Sequence, residues 1–114
     1  GKTRVFSISP IDFTIQFRQY FLAFMVSHQA SRSNNFTAVG INIRGFEWTS
    51  LVYKMVGHSP HQLCGDYSNF GAGFSAEVHQ VVGECILDWF HFNGDEDQEN
   101  RRIRSVMLSE LINS

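Results

Sequence analysis

Gln62-Leu63-Cys64-Gly65-Asp66-Tyr67-Ser68-Asn69-Phe70-Gly71-Ala72-Gly73-Phe74 is the stretch on which the reading of this chain turns. A short apolar run ends on one carboxylate and breaks into a glycine-punctuated turn, and an amphipathic helical pattern starts just after it. That order predicts a strand ending at Asp66 and a helix capped by Ser75. It places the acid at the carboxyl end of a strand, where open α/β sheets gather ligands. Two readings of Asp66 stay open on these residues alone. It can cap the turn through Ser68 or Asn69. Or it can hold a hard divalent cation such as Mg2+, which keeps much of its water and takes only one or two protein carboxylates, with the Tyr67 carbonyl as a neighbouring oxygen donor.

The rest of the chain bounds what that site can serve. At 114 residues, with 43% hydrophobic and 14% aromatic content, it suits one packed domain with a modest core rather than a disordered chain. A formal charge of −2 removes any global electrostatic case for nucleic acid, so such a case must rest on local placement. Two cysteines, Cys64 and Cys85, are too few for a disulfide framework. The longest apolar stretch, Tyr20 to Val26, falls far short of the roughly 20 residues a membrane span needs. Without an initiating Met, the chain reads as a piece cut from a longer polypeptide.

Thr3 to Ser9 alternates polar and apolar residues and predicts a strand. Pro10 opens a predicted helix through Gln29, with Ser9 as its cap and apolar residues at 13, 17, 20, 21, 24 and 25. A polar loop follows, then a short extended piece from Phe36 to Val39. Phe46 to Val56 reads as a helix with Trp48, Leu51, Val52 and Met55 inward, ended by Gly57 and Pro60. After Ser75, residues 78, 81, 82, 85, 86, 89 and 90 recur at helical steps, and a last helix covers about Glu99 to Ile112.

Lys2 and Arg4 are the second set of candidates. On a strand they share one face, and a mobile ammonium beside a planar guanidinium suits a triphosphate; two surface cations near a terminus is the plainer reading. Gly1-Lys2-Thr3 as the tail of a phosphate-binding loop would need a helix at Lys2, against the strand pattern. His58, His61 and Cys64 have zinc-like spacing, but no fourth ligand is evident. The acidic run at 95–99 lacks the central glycine of a calcium loop. Asn35-Phe36-Thr37 matches a glycosylation sequon without other support for secretion. Cys85 lies on the apolar helical face and reads as core.

Three blocks, in order, resemble the RNA-dependent RNA polymerases of picorna-like positive-strand RNA viruses, of the iflavirus and dicistrovirus kind. Gly1-Lys2-Thr3-Arg4-Val5-Phe6 through Arg18 is similar to the basic fingers motif and the helix after it. Ala38-Val39-Gly40-Ile41-Asn42, with Phe46-Glu47-Trp48, resembles the connector before the palm. Gly65-Asp66-Tyr67-Ser68-Asn69-Phe70-Gly71-Ala72-Gly73-Phe74 resembles the first palm motif.

The resemblance implies an α/β (α+β) fragment of a right-hand polymerase, helix-rich, with few strands and an incomplete palm sheet. Residues 1–36 would form the fingers strand and its helix, and residues 37–114 the connector, first palm strand and later helices. It implies template-directed, two-metal nucleotidyl transfer in which Asp66 coordinates both Mg2+ ions and the Tyr67 carbonyl one of them, with Mn2+ as a substitute, and in which Lys2 and Arg4 face the nucleoside triphosphate. Many family members carry a second aspartate five residues after the first, to recognise the ribose; here Gly71 stands there. Asn69, the Gly71 backbone or a residue outside this chain would then meet the sugar. The Ser-Gly…Thr…Asn block and the Gly-Asp-Asp hairpin are missing. The expected partners are therefore an RNA template-primer, nucleoside triphosphates and the remainder of the polymerase chain, at membrane-associated replication complexes in the host cytoplasm. The fragment alone is expected to be inactive and marginally stable, with apolar helix faces left uncovered. The competing reading is a non-catalytic α/β protein-interaction module.

Overall fold

The computed structural model describes residues 2–32 and 34–113, so Gly1 of the basic block lies outside the described residues. Among them the chain forms five helices: α1 (Ile11–Ala30), α2 (Phe46–His58), α3 (Phe70–Gly73), α4 (Ala76–Phe92) and α5 (Gln98–Ile112). The described residues contain no strand, which corrects the α/β expectation. The physical reason lies in the backbone. Alternation at 3–9 and the apolar run at 62–64 supply side-chain patterns, but a strand exists only where a second strand takes up its N–H and C=O groups. No such partner is present among the described residues. Val5, Ile8 and Leu63, which a sheet would have covered, are almost fully exposed.

The chain divides into two compact units, Gly1–Met25 with Ser75–Ser114, and Val26–Phe74. The first holds the core. Aromatic residues recur along α1 at steps of three and four, so Phe13, Phe17, Tyr20, Phe21 and Phe24 share a face. Phe17 stacks on Phe21 with ring centroids 4.3 Å apart, and Phe21 meets the edge of Phe90 at 6.0 Å. Phe24 meets Trp89 edge-on at 5.4 Å. Phe21, Phe90 and Met107 form the buried centre, with Ile86, Ile103 and Leu108 packed against it.

Local signals fix the helix ends here. The first backbone bond of α1 runs from Thr14 N–H to the Pro10 carbonyl, so Pro10 stands just before the helix rather than in its first turn. The Ser75 hydroxyl accepts from Val78 N–H and caps α4, as expected. The Asp97 carboxylate accepts from Glu99 N–H and caps α5. Gly83 is buried where α4 meets α5: a Cβ there would lie 3.4 Å from Leu108 Cδ1. The inward stripe of α4 is Gly83, Ile86, Leu87 and Phe90, while Val78, Val81, Val82 and Cys85 face outward. Cys85 is thus an exposed free thiol, not a core residue.

One cation anchors this unit. Arg104 is only 8% exposed. Its Nε donates to the Tyr20 carbonyl at 2.9 Å, its Nη1 to Asp95 Oδ2 at 2.7 Å, and its guanidinium lies 3.6 Å from the Phe90 ring centroid. That bond holds the Asp95 carboxyl below its ordinary pKa, with smaller help from Asp97 N–H and Asn100. One side chain thereby ties α1, α4 and the α4–α5 turn together.

The second unit is looser. α2 has no buried residue, and Trp48, Val52 and Met55, expected to face inward, are exposed; Leu51 is half-buried. Its order comes from polar ties. The Glu47 carboxylate accepts from Asn42 N–H at 2.7 Å and from the Arg32 guanidinium at 2.6 Å, and Arg32 also donates to the Gln29 carbonyl at 2.8 Å. The bond from Asn42, then that from Arg32, holds the Glu47 carboxyl below its usual range. The uncovered faces of α2 and α4 match the expectation of apolar surface left open.

Candidate functional site

Asp66 lies in the second unit, in a stretch from 61 to 67 without regular secondary structure. Its Oδ1 accepts from Tyr67 N–H at 2.9 Å. The local turn role therefore exists, through Tyr67 rather than through the Ser68 or Asn69 expected. It uses one carboxylate oxygen. Asp66 forms no ion pair among the described residues, and it and Tyr67 are exposed.

Just beyond Asp66 the chain reverses tightly. Asn69 adopts a left-handed conformation, φ 53° and ψ 40°, and its carbonyl accepts from Gly73 N–H at 3.0 Å to close the single turn of α3. Asn is one of the few side chains that takes this conformation readily. The reversal sets three rings in a row: Tyr67 and Phe70 at 5.5 Å, Phe70 and Phe74 at 5.1 Å. Gly71 and Gly73 have open space where a Cβ would stand, so neither glycine is required by crowding.

Upstream, the stretch is tethered to the end of α2. The helix continues through Gly57 to His58, and Ser59 is its cap; Gly57 does not end it. Pro60 has no N–H to offer the last carbonyls. The Gln62 side chain supplies the donors instead, from Nε2 to the Met55 carbonyl at 3.1 Å and to the Ser59 carbonyl. Sequence reading passed over Gln62 as the polar start of an apolar run. The signal available was an amide two residues after a helix-ending Pro60.

Lys2 and Arg4 belong to the first unit; both are exposed and lie outside any helix. His58, His61 and Cys64 do not gather, and among the described residues no three His, Cys, Asp or Glu side chains form a group able to hold a metal ion. In kind, the donors at Asp66 and Tyr67 nonetheless suit a hard divalent cation: one carboxylate oxygen outside the turn bond, the backbone carbonyl of an exposed residue, and no ion pair at Asp66 among the described residues. Beside α2 runs an open groove of about 900 Å³, lined by Ile41, Leu51, Met55 and Gln62 among others, and not by Asp66. No helix of the described residues is long and apolar enough to cross a membrane.

Comparison with known proteins supplies what the geometry leaves open. The family model for viral RNA-dependent RNA polymerase matches residues 1–114. The genome polyprotein of Deformed wing virus is 41% identical over 114 residues, covering 98% of this chain and 4% of that polyprotein. The replicase polyprotein of Drosophila C virus (strain EB) is 34% identical over 119 residues, covering 100% of this chain and 7% of that polyprotein. That of Acute bee paralysis virus (strain Rothamsted) is 32% identical over 113 residues, covering 99% and 6%. The chain thus spans less than a tenth of the length of these relatives. No solved structure matches it. Matched from one end to the other by the family model, and by insect-virus polyproteins over nearly all its length, this chain belongs to the viral RNA-dependent RNA polymerase family.

Proposed function

We propose that this chain is the part of a viral RNA-dependent RNA polymerase that carries the first metal-binding carboxylate, Asp66, for template-directed nucleotidyl transfer from nucleoside triphosphates. The family match over residues 1–114, with Asp66 exposed in the stretch that resembles the first palm motif, carries this reading. A non-catalytic interaction module would account for the exposed faces of α2 and α4, but it gives no reason for that match.

In this reading Asp66 and the Tyr67 carbonyl hold the divalent metal, Mg2+ or Mn2+. Bound there, the metal would activate the attacking oxygen and shield the leaving pyrophosphate. The turn bond from Tyr67 N–H orients the Asp66 carboxylate and leaves Oδ2 for the cation. Lys2 and Arg4 bind the triphosphate, Arg4 through its planar fork and Lys2 as a point charge. Asn69 and the Gly71 backbone meet the ribose in place of a second aspartate. The remaining carboxylates come from the remainder of the polymerase chain, so this chain alone is inactive. The full enzyme acts on an RNA template-primer at membrane-associated replication complexes in the host cytoplasm.

The test is Asp66→Asn in the full polymerase, which keeps the shape and removes the charge. Metal coordination contributes several kcal/mol to such a reaction, so primer extension should fall roughly a thousandfold, at about 1.4 kcal/mol per decade. Activity within tenfold of the parent enzyme would remove Asp66 from the metal site.

A further inference from the structure

We infer that Gln62 is a positioning residue for Asp66: its side-chain amide clamps the start of the acid-bearing stretch onto the C-terminus of α2. The inference rests on the reading of Asp66 as a metal-binding carboxylate.

The stretch from Gln62 to Asn69 contains no regular structure before the single turn of α3. Between Gln62 and Ser68 the only other hydrogen bond among the described residues is the local one between Asp66 and Tyr67 N–H, and the Asn69 carbonyl accepts only from within α3. Upstream, His61 N–H donates to the Ser59 hydroxyl, a bond that shapes the turn without reaching back to the helix. The Gln62 amide is therefore the last tie to a regular element before Asp66, four residues away. It meets two carbonyls at once, Met55 and Ser59. Met55 already accepts from Ser59 N–H at 3.3 Å, a long bond, and Pro60 removes the next backbone donor. The Gln62 amide thus gives the Met55 carbonyl a second donor and the Ser59 carbonyl a first, at a helix end where backbone donors run out.

Such a clamp acts on metal affinity through the placement of its ligand. Loss of a group bonded directly to a metal ligand weakens metal binding or activity by about 10–100-fold, and a clamp four residues from the ligand acts at the lower end of that range. Gln62→Glu is the discriminating variant: it keeps the size and turns both donors into acceptors facing two carbonyls. Gln62→Lys keeps donors, on a flexible stem one bond longer.

In the full polymerase, Mn2+ binding followed by electron paramagnetic resonance should weaken roughly tenfold in Gln62→Glu, and the Mg2+ concentration for half-maximal primer extension should rise in step. KM for the nucleoside triphosphate should stay unchanged, and amide hydrogen exchange over residues 63–67 should quicken. Gln62→Lys should remain near the parent in all four. If Gln62→Glu does not fold, Gln62→Leu, which removes the donors without adding charge, takes its place in the same comparison. Unchanged Mn2+ binding in the donor-less variant, or an equal loss in Gln62→Lys, overturns the inference. Asp66→Asn measured alongside separates the two readings. If it retains activity, the metal-site reading fails; if it is inactive while Gln62→Glu binds Mn2+ as the parent does, only the clamp fails.

Discussion

Replacing Arg104 by Met should loosen the first unit more than any single apolar truncation at its rim. Met keeps the length of the stem and removes three interactions at once. The bond to the Tyr20 carbonyl, 2.9 Å from a charged donor, contributes about 1.5–3 kcal/mol. The guanidinium over Phe90, 3.6 Å from the ring centroid and largely out of water, adds about 1–2 kcal/mol. The pair with Asp95 is screened, because that carboxylate side chain keeps 26% of its exposure, so it contributes at most about 1 kcal/mol. These terms share one side chain and do not add fully, and Met recovers some packing against Phe90. The expected loss is about 3 kcal/mol, or a hundredfold to two-hundredfold in the equilibrium for local opening, at about 1.36 kcal/mol per decade. Native-state hydrogen exchange on the polymerase reads this directly at the amides of α1 near Tyr20 and along α5. Protection reduced less than threefold would refute the claim that Arg104 ties these elements.

The acid side of the same pair gives a second readout. Asp95 is held below its ordinary pKa in the folded chain, so its stabilising contribution is fully present above about pH 4. It is lost as pH falls through the lower folded value. Melting temperature should therefore owe nothing to Asp95 titration between pH 8 and 5 and should decline below about 4. Arg104→Met should flatten that decline. A decline of equal steepness in both proteins would assign the acid sensitivity elsewhere.

Three further outcomes concern single positions. Gly83→Leu should destabilise by about 1–3 kcal/mol by forcing α4 off Leu108, whereas Gly83→Ala meets ordinary contact distance and should be neutral or slightly stabilising; thermal melts distinguish them. Asp97→Ala removes the cap of α5 and should lower stability by about 1 kcal/mol, seen as faster exchange in the first turn of that helix. Gly71→Asp meets open space and should fold normally, and in the full enzyme it should raise the preference for ribo- over deoxyribonucleotides; identical selectivity would exclude position 71 from sugar recognition.

The helices were legible because their signals are local. The steps of three and four in α1 and α4, the Ser75 cap and the polar break at 93–97 each act within a few residues, and the predicted bounds lie within two residues of the observed ones. α3 escaped because Phe-Gly-Ala-Gly carries no helical signal; the left-handed Asn69 makes that turn. The strands failed for the opposite reason. Alternation at 3–9 and the run before Asp66 are necessary for a sheet, but hydrogen-bond partners lie at a distance no local pattern encodes. Cys85 misled because α4 carries apolar residues on more than one side, and packing chose the side of Gly83 and Leu87. Arg104 went unread as one charge in a polar helix. Its position three residues before Met107, on the same face, was the available clue. At the site, the turn after Asp66 was legible but its donor, Tyr67 N–H, was not; nor was the Gln62 amide, since its partners are helix-end carbonyls.

The left-handed residue at position 69 also governs how genetics of this region can be interpreted. A valine or isoleucine there would resist the required φ of 53° and carry Phe70 and Gly71 along with it as the loop relaxed. Inactivity of such a mutant would report a rebuilt loop, not a lost sugar contact. Only glycine or aspartate, which tolerate the same backbone angle while altering or deleting the amide, can ask what the asparagine head group itself contributes.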